Sequence, residues 1–388
     1  MINMESSQAE SQKKTWLAVA VFILLVSILR GIRMPSVWGY THFLFNYDAG
    51  FTKRSIIGEI YKHIDNYTHP YGAYIAFSAL IFSLNIACII QAIKKLIGSC
   101  QDNLIACSIL FASSLAITYL AHTVGYYDHV GFLAAFLIIN ISSRPLKFLL
   151  AIPLIVFCLL VHEGFLLIFF PSIFLSLILA SVGNKKWMFL SFCMAFFAAS
   201  LAFVLSEATL DSVAMAQLSG ALQAHTDIAL RGDAFAVLGR NVNSNLEIML
   251  WSWGGLFAIA NIFSWLVTLP SCAFFMASSL PRLKACPLPR VTWLLALASL
   301  SPLSMHVIAW DMHRWNALAV TTSFLCLYAV FTSLPKPETS PESGKLLPIL
   351  VLLVFLNGAS TIGLFEGYSV RQFPFFDNIF SSLSPPQP

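Results

Sequence analysis

Eleven apolar runs, most of them close to twenty residues long and nearly free of charge, follow one another along this chain. They lie at about 15–32, 72–93, 104–122, 130–143, 147–162, 165–182, 187–205, 250–280, 291–308, 316–334 and 346–364. A helix of roughly twenty apolar residues crosses ~30 Å of hydrocarbon, and inside a bilayer every backbone polar group must be satisfied within the fold. The expected fold is therefore all-α: a polytopic membrane protein of about eleven transmembrane helices, organised as a single membrane domain over residues 1–388. Runs 130–143 and 147–162 are short for a bilayer and call for extension into their loops. Composition excludes the soluble alternative, because 58% of residues are hydrophobic and only 10% are charged, against roughly 25% charged in soluble domains.

The first run follows Lys13-Lys14, precedes Arg30 and Arg33, and shows no small-residue cleavage site, so it reads as a retained signal-anchor helix. Eight cysteines show no metal-ligand spacing and fall outside the long loops, which points to buried apolar use and away from a disulfide framework.

Basic residues mark alternate loops. Lys13/Lys14, Lys94/Lys95, Arg144/Lys147, Lys185/Lys186, Arg282/Lys284/Arg290 and Lys336/Lys345 fall on one side when every run crosses once. The positive-inside rule places that side, with the N-terminus, in the cytoplasm and the C-terminus outside. Thirteen of the eighteen acidic residues then fall on the outer side. Two outer loops are long: 33–71, with a short interfacial helix expected over Ser55–Tyr61, and 207–249.

Four outer segments carry polar residues at helix ends, where charge is costly. The first, Asn46-Tyr-Asp-Ala-Gly-Phe-Thr-Lys-Arg54 with Glu59 beyond it, holds Asp48, Lys53 and Arg54. A carboxylate can take a proton from a hydroxyl or hold a divalent metal, and a Lys-Arg pair can hold a phosphate. The second, His122 to His129, holds Asp128; the third, Val161-His-Glu-Gly-Phe165, holds His162 and Glu163. The fourth, Ile308 to Trp315, holds Asp311, His313 and Arg314 between Trp310 and Trp315. Each alone also reads as a solvated loop, a helix cap or a tight turn. Their placement on one face is the stronger signal. The loop 207–249 adds Glu207, Asp211, His225, Asp227, Arg231, Asp233 and Arg240, with apolar spacing for one or two amphipathic helices that act structurally or as a lid. Asn66-Tyr-Thr68 is a glycosylation sequon.

This pattern resembles the GT-C superfamily of membrane glycosyltransferases, and the 46–54, His162-Glu163 and Asp311–Trp315 stretches are similar to bacterial membrane proteins of surface-polysaccharide clusters. Ala49 and Gly50 follow Asp48 where the superfamily carries a second acid. The resemblance implies transfer of a sugar from a polyprenyl-phosphate or diphosphate donor to a glycan or lipid-linked acceptor. It implies catalysis at the periplasmic face of a bacterial inner membrane, with membrane lipid as a further partner and no nucleic acid. Asp48 is then the base. Lys53, Arg54 and Arg314 hold phosphate, while Glu59, Asp128, His162, Glu163, Asp311 and His313 line the substrate, and a divalent metal is the one cofactor these acids could serve. Two other readings stay open: a repeat-unit polymerase, and a secondary transporter or flippase, which would want ionisable residues at the bilayer midplane. O-acyl transfer rests on His306 alone.

Overall fold

The structure, a computed structural model, describes residues 2–64, 70–256, 259–284, 286–288, 290–309, 311–336 and 346–359. The Asn66–Thr68 sequon, Trp310, most of the 335–344 linker and the tail from Phe365 lie outside the described residues.

The described chain is helical throughout. Seven helical stretches are long and apolar enough to cross a membrane: Glu10–Gly31, Tyr71–Gly98, Asp102–His122, Arg144–Val161, Lys185–Glu207, Ser264–Lys284 and Met312–Ser333. Four expected spans form shorter apolar helices, Asp128–Asn140, Phe170–Ala180, Val291–Val307 and Leu347–Gly358. At 1.5 Å per residue, a helix of thirteen residues reaches roughly 20 Å, short of a ~30 Å hydrocarbon core.

In chain order the helices are α1 (Ile2–Gly31), α2 (Val37–Leu44), α3 (Ile56–Ile64), α4 (Tyr71–Gly98), α5 (Asp102–Ser113), α6 (Leu115–His122), α7 (Asp128–Asn140), α8 (Arg144–Val161) and α9 (Phe165–Ile168). They continue with α10 (Phe170–Ala180), α11 (Lys185–Glu207), α12 (Ser212–Gln223), α13 (Gly232–Phe235), α14 (Val242–Leu256), α15 (Ile259–Lys284), α16 (Val291–Leu300), α17 (Met312–Ser333) and α18 (Leu346–Ala359). Two expected boundaries shift. The interfacial helix α3 runs three residues further than expected. The loop expected to last until 249 gives way to α14 at Val242.

At the centre, α17 is buried without interruption from Arg314 to Val330, and its polar side chains there bond within the fold, Thr322 to the Ile168 carbonyl and Ser323 to that of Ser299. Phe324 stacks on Phe111 of α5 with ring centroids 3.8 Å apart. Around it, helices turn large apolar side chains outward: Phe189, Phe196 and Phe203 of α11 are each two-thirds or more exposed, which suits lipid and not water. The run 104–122 breaks at Ser114 between α5 and α6. The amide freed at Leu115 donates to Asn357 Oδ1 at 3.1 Å, so a span-bound polar group supplies the bond that the break removes. At the far end of the same run, Arg33 Nε donates to the His122 carbonyl and His122 Nδ1 to that of Gly31, both at 3.0 Å, tying α1 to α6. His306 Nε2 donates to Asn316 Oδ1 at 3.0 Å, and Asn316 Nδ2 to Ser264 Oγ at 2.7 Å, so the histidine closes a bond between neighbouring helices.

The two long interspan segments share one apolar cluster. Tyr40, Phe43, Leu44 and Phe45 of the first pack with Leu210, Leu218, Leu222, Phe235 and Leu238 of the second, on Tyr74 and Val161 of the bundle. The amphipathic expectation for the second segment is met in α12, which buries Leu218 and Leu222 and leaves Val213 exposed. The helix α2 has no counterpart among the expected elements. Ser36 caps it, its hydroxyl accepting from Gly39 N at 3.1 Å.

Candidate functional site

The first segment turns sharply after α2. Asn46 Oδ1 accepts from the Asp48 amide at 3.0 Å, and Gly50 takes φ of +120°, a value that favours glycine. The Asp48 carboxylate points along this turn toward α3. Lys62 Nζ donates to Asp48 Oδ1 at 2.7 Å and to Glu59 Oε2 at 2.9 Å, and Glu59 also accepts from the Tyr47 amide at 3.0 Å. Gly58 permits this packing, since a Cβ there would collide with the Leu44 and Phe45 carbonyl oxygens. Asp48 and Glu59 thus belong to a local clasp that fastens the turn to α3. The Asp48 side chain is 44% exposed.

The chain then reverses its aim at Arg54, whose φ is +63°. An arginine in the left-handed region costs about 1–2 kcal/mol, strain that needs the surroundings to hold it. The holding contact is a two-bond pair with Glu163, from Arg54 Nε to Oε2 at 3.0 Å and from Nη2 to Oε1 at 2.5 Å. Burial raises the Glu163 carboxyl, but the Arg54 guanidinium outweighs it and holds the group well below the usual carboxylate range. Next to it, burial and the Arg54 charge take the His162 imidazole down to about 3, so the ring is neutral at physiological pH. His162 Nδ1 accepts from the Gly164 amide at 2.9 Å, which leaves the proton on Nε2 as a donor.

A second pair closes the site from the bundle. Arg314, in the first turn of α17, donates from Nε to Asp128 Oδ2 at 2.8 Å and from Nη2 to Asp128 Oδ1 at 3.0 Å. Its Nη1 reaches Asp311 Oδ2 at 3.2 Å. The rings of Trp315 and Tyr126 lie 4.7 and 5.6 Å from the guanidinium carbon. Arg314 and Asp128 are almost wholly enclosed, whereas Asp311 keeps 32% of its side chain accessible. Burial raises the Asp311 carboxyl above its ordinary value despite the arginine beside it.

Between these pairs lies a cavity of about 420 Å³. Its polar lining comes from four distant stretches: Lys53 and Arg54; His162 and Glu163; Arg240, Asn241 and Asn245; Asp311 and Arg314. Its apolar lining includes Leu166 and Leu167 of α9 and Ala199, Ala202 and Phe203 of α11. Phe203 lines the cavity and is 67% exposed. The second segment roofs the cavity. Thr52 Oγ1 donates to the Ala208 carbonyl at 3.2 Å, and Lys53 Nζ donates to the Arg240 carbonyl. Arg240 is among the lining residues, and its guanidinium has no hydrogen-bond partner among the described residues.

Of the residues expected at the site, Lys53, Arg54, His162, Glu163, Asp311 and Arg314 line this cavity, and Asp128 stands directly behind Arg314. Asp48, Glu59 and His313 are not among its lining residues. His313 sits in α17 with a buried Nδ1 that has no partner among the described residues. Trp38, Asn241 and Asn245 join the site without having been expected there, and Arg240 stood out only as one charge among seven in its segment. For a divalent metal the donor set is poor. Glu163 and Asp311 are each bound by an arginine, and among the described residues no group of three or more His, Cys, Asp or Glu could hold a metal ion. No family model, curated protein or solved structure matches this chain.

Proposed function

We propose that this protein is a membrane glycosyltransferase, moving a sugar from a polyprenyl-phosphate-linked donor to a glycan or lipid-linked acceptor. All eleven apolar helices cross in this reading, the four short ones by local thinning of the bilayer and by extension into loops buried in protein. The charge asymmetry between loops supports a cavity on the non-cytoplasmic face, in a bacterium the periplasmic side of the inner membrane.

The observation that carries the reading is a cavity lined both by cations and polar groups and by apolar side chains. A lipid-linked sugar has a polyisoprenoid tail, an anionic phosphate at the headgroup level and a polar sugar. The apolar lining with the exposed Phe203 fits the tail, and the cations Arg240 and Lys53 fit the phosphate. His162 Nε2, Asn241 and Asn245 offer hydrogen bonds to sugar hydroxyls.

In this geometry the base moves from Asp48 to Asp311. Asp48 is tied to Lys62 away from the cavity, while Asp311 lines it with a raised carboxyl pKa. General bases work best when their pKa nears the working pH. Asp311 takes the proton of the acceptor hydroxyl. The oxygen attacks the anomeric carbon, and the bond from that carbon to the phosphate oxygen breaks. The lipid phosphate leaves with its electron pair, stabilised by Arg240 and Lys53. Glu163, held ionised by Arg54, keeps that arginine in place.

The test is incubation of the purified protein with labelled polyprenyl-phosphate sugars and candidate lipid-linked acceptors, with and without chelator. A new glycan product is expected, with Asp48→Asn within a few-fold of the parent chain. No product from any donor sinks the reading.

Lys53 adds a pH signature. Burial pushes its ammonium down to about 8, so its positive charge is present below that pH and is lost as pH rises through it. The KM for an anionic donor is expected to climb between pH 7 and 9 in the parent chain and to stay flat in Lys53→Met. Parallel profiles in the two proteins would show that Lys53 does not touch the donor's charge.

A further inference from the structure

The carboxylate behind the site, Asp128, has no role in the transfer scheme above, yet it takes the better half of the arginine that Asp311 needs. An arginine fork offers its Nε/Nη2 edge to one carboxylate in two parallel bonds. Asp128 occupies that edge, at 2.8 and 3.0 Å. Asp311 is left a single bond at 3.2 Å on Oδ2. Its Oδ1 has no hydrogen-bond partner among the described residues. The fork cannot easily rotate to even out this division, because Trp315 and Tyr126 lie against it. Asp128 itself is 4% exposed and does not line the cavity.

We propose that Asp128 is a positioning residue for Asp311: it commits the two-bond edge of Arg314 to itself, so that Asp311 faces the cavity held at one oxygen and free at the other. This rests on the reading of Asp311 as the base. A carboxylate gripped at both oxygens by a guanidinium is oriented but has little basicity left, whereas one held at a single oxygen is both oriented and able to take a proton. Asp128 adds to this control by its own negative charge, which raises Asp311, and the other groups around Asp311 do not replace it. Arg54 acts across the cavity and is committed to Glu163, and the phenols of Tyr119 on α6 and Tyr126 in the turn before α7 are uncharged at neutral pH.

The two carboxylates can be read separately in the full-length protein. Carbodiimide couples to protonated carboxyl groups, and mass spectrometry of the labelled peptides gives a midpoint pH for each. In the parent chain, Asp311 is expected to label with a midpoint above the ordinary carboxylate range. In Asp128→Asn, the carboxylate charge that raises Asp311 is gone, and Arg314, still flanked by Trp315 and Tyr126, is left with Asp311 as its carboxylate partner. Its labelling midpoint is expected to fall by about one pH unit, and the acid limb of the transfer-rate profile to fall with it. A folded Asp128→Asn protein with an unmoved Asp311 midpoint overturns the proposal, because a purely structural Asp128 predicts that. Should the variant not fold, the parent chain still decides: an Asp311 midpoint within or below the ordinary range shows that the fork already grips it. The label reads Asp311 whether or not sugar is transferred, so the pairing and the transferase reading fail separately.

Discussion

Replacing Asp311 with asparagine is expected to lower the transfer rate by about 10²- to 10⁴-fold, the usual worth of a positioned general base. The substitution is nearly isosteric. The amide oxygen of asparagine can still accept the Nη1 bond of Arg314, so the geometry around α17 survives. Only the capacity to take a proton is lost. The expected kinetic form is a fall in kcat with the donor KM little changed, since the proposed phosphate contacts belong to Arg240 and Lys53 and not to Asp311. The acid limb of the rate profile should vanish with the group that produces it. Steady-state kinetics on the purified variant, beside a melting curve equal to the parent's, check this. A variant that keeps most of its rate would remove Asp311 from the chemistry.

The second large effect concerns stability. Arg314→Ala strips Asp128 of its cation at a site where that carboxylate has 4% of its surface accessible. Breaking a buried pair by removing one partner costs about 3–5 kcal/mol, because the remaining charge is stranded. The variant is expected to show a sharply lowered unfolding midpoint in detergent. The same principle supplies the control. When both partners of a buried pair are replaced by apolar residues of similar size, stability often returns. Arg314→Met combined with Asp128→Leu is expected to recover much of the lost stability while remaining inactive, since Asp311 then has no arginine to orient it. A double variant as unstable as the single would mean that the pair contributes by shape and contacts other than charge.

The sequence made the site's membership more legible than its wiring. The segments around Arg54, Glu163, Asp311 and Arg314 stand out because charged residues at the ends of apolar helices are expensive. Their pairing does not follow from that. Arg54 finds Glu163 across 109 residues and Arg314 finds Asp128 across 186. Such partners are set by which helices pack side by side, and an order of apolar runs does not specify this. Asp48 shows the opposite difficulty. It stands close to Lys53 and Arg54 in sequence, which favours a shared site, but the positive φ at Arg54 sends the arginine to Glu163 while Asp48 turns to Lys62. Arg240 carried no local signature, being one of several charges in a long segment. Among the helices, the break at Ser114 was hidden because both halves are equally apolar, and its remedy, Asn357, lies 242 residues from the amide it serves.

The roof over the cavity is held in a way that bears on how such a protein diversifies. Thr52 and Lys53 grip the second segment by the carbonyl oxygens of Ala208 and Arg240, and the Arg231 amide donates to Thr41 Oγ1. Every one of these bonds engages main chain on the roof side, so none of them depends on which side chain stands at 208, 231 or 240. Side chains at those three positions, Arg240 at the cavity among them, are therefore open to exchange without loosening these bonds. In the proposed transferase, drift there retunes what the cavity receives, while the carboxylate and its arginine stay as they are. These bonds are indifferent to their own cargo, and that indifference lets one scaffold exchange its ligand while keeping its frame.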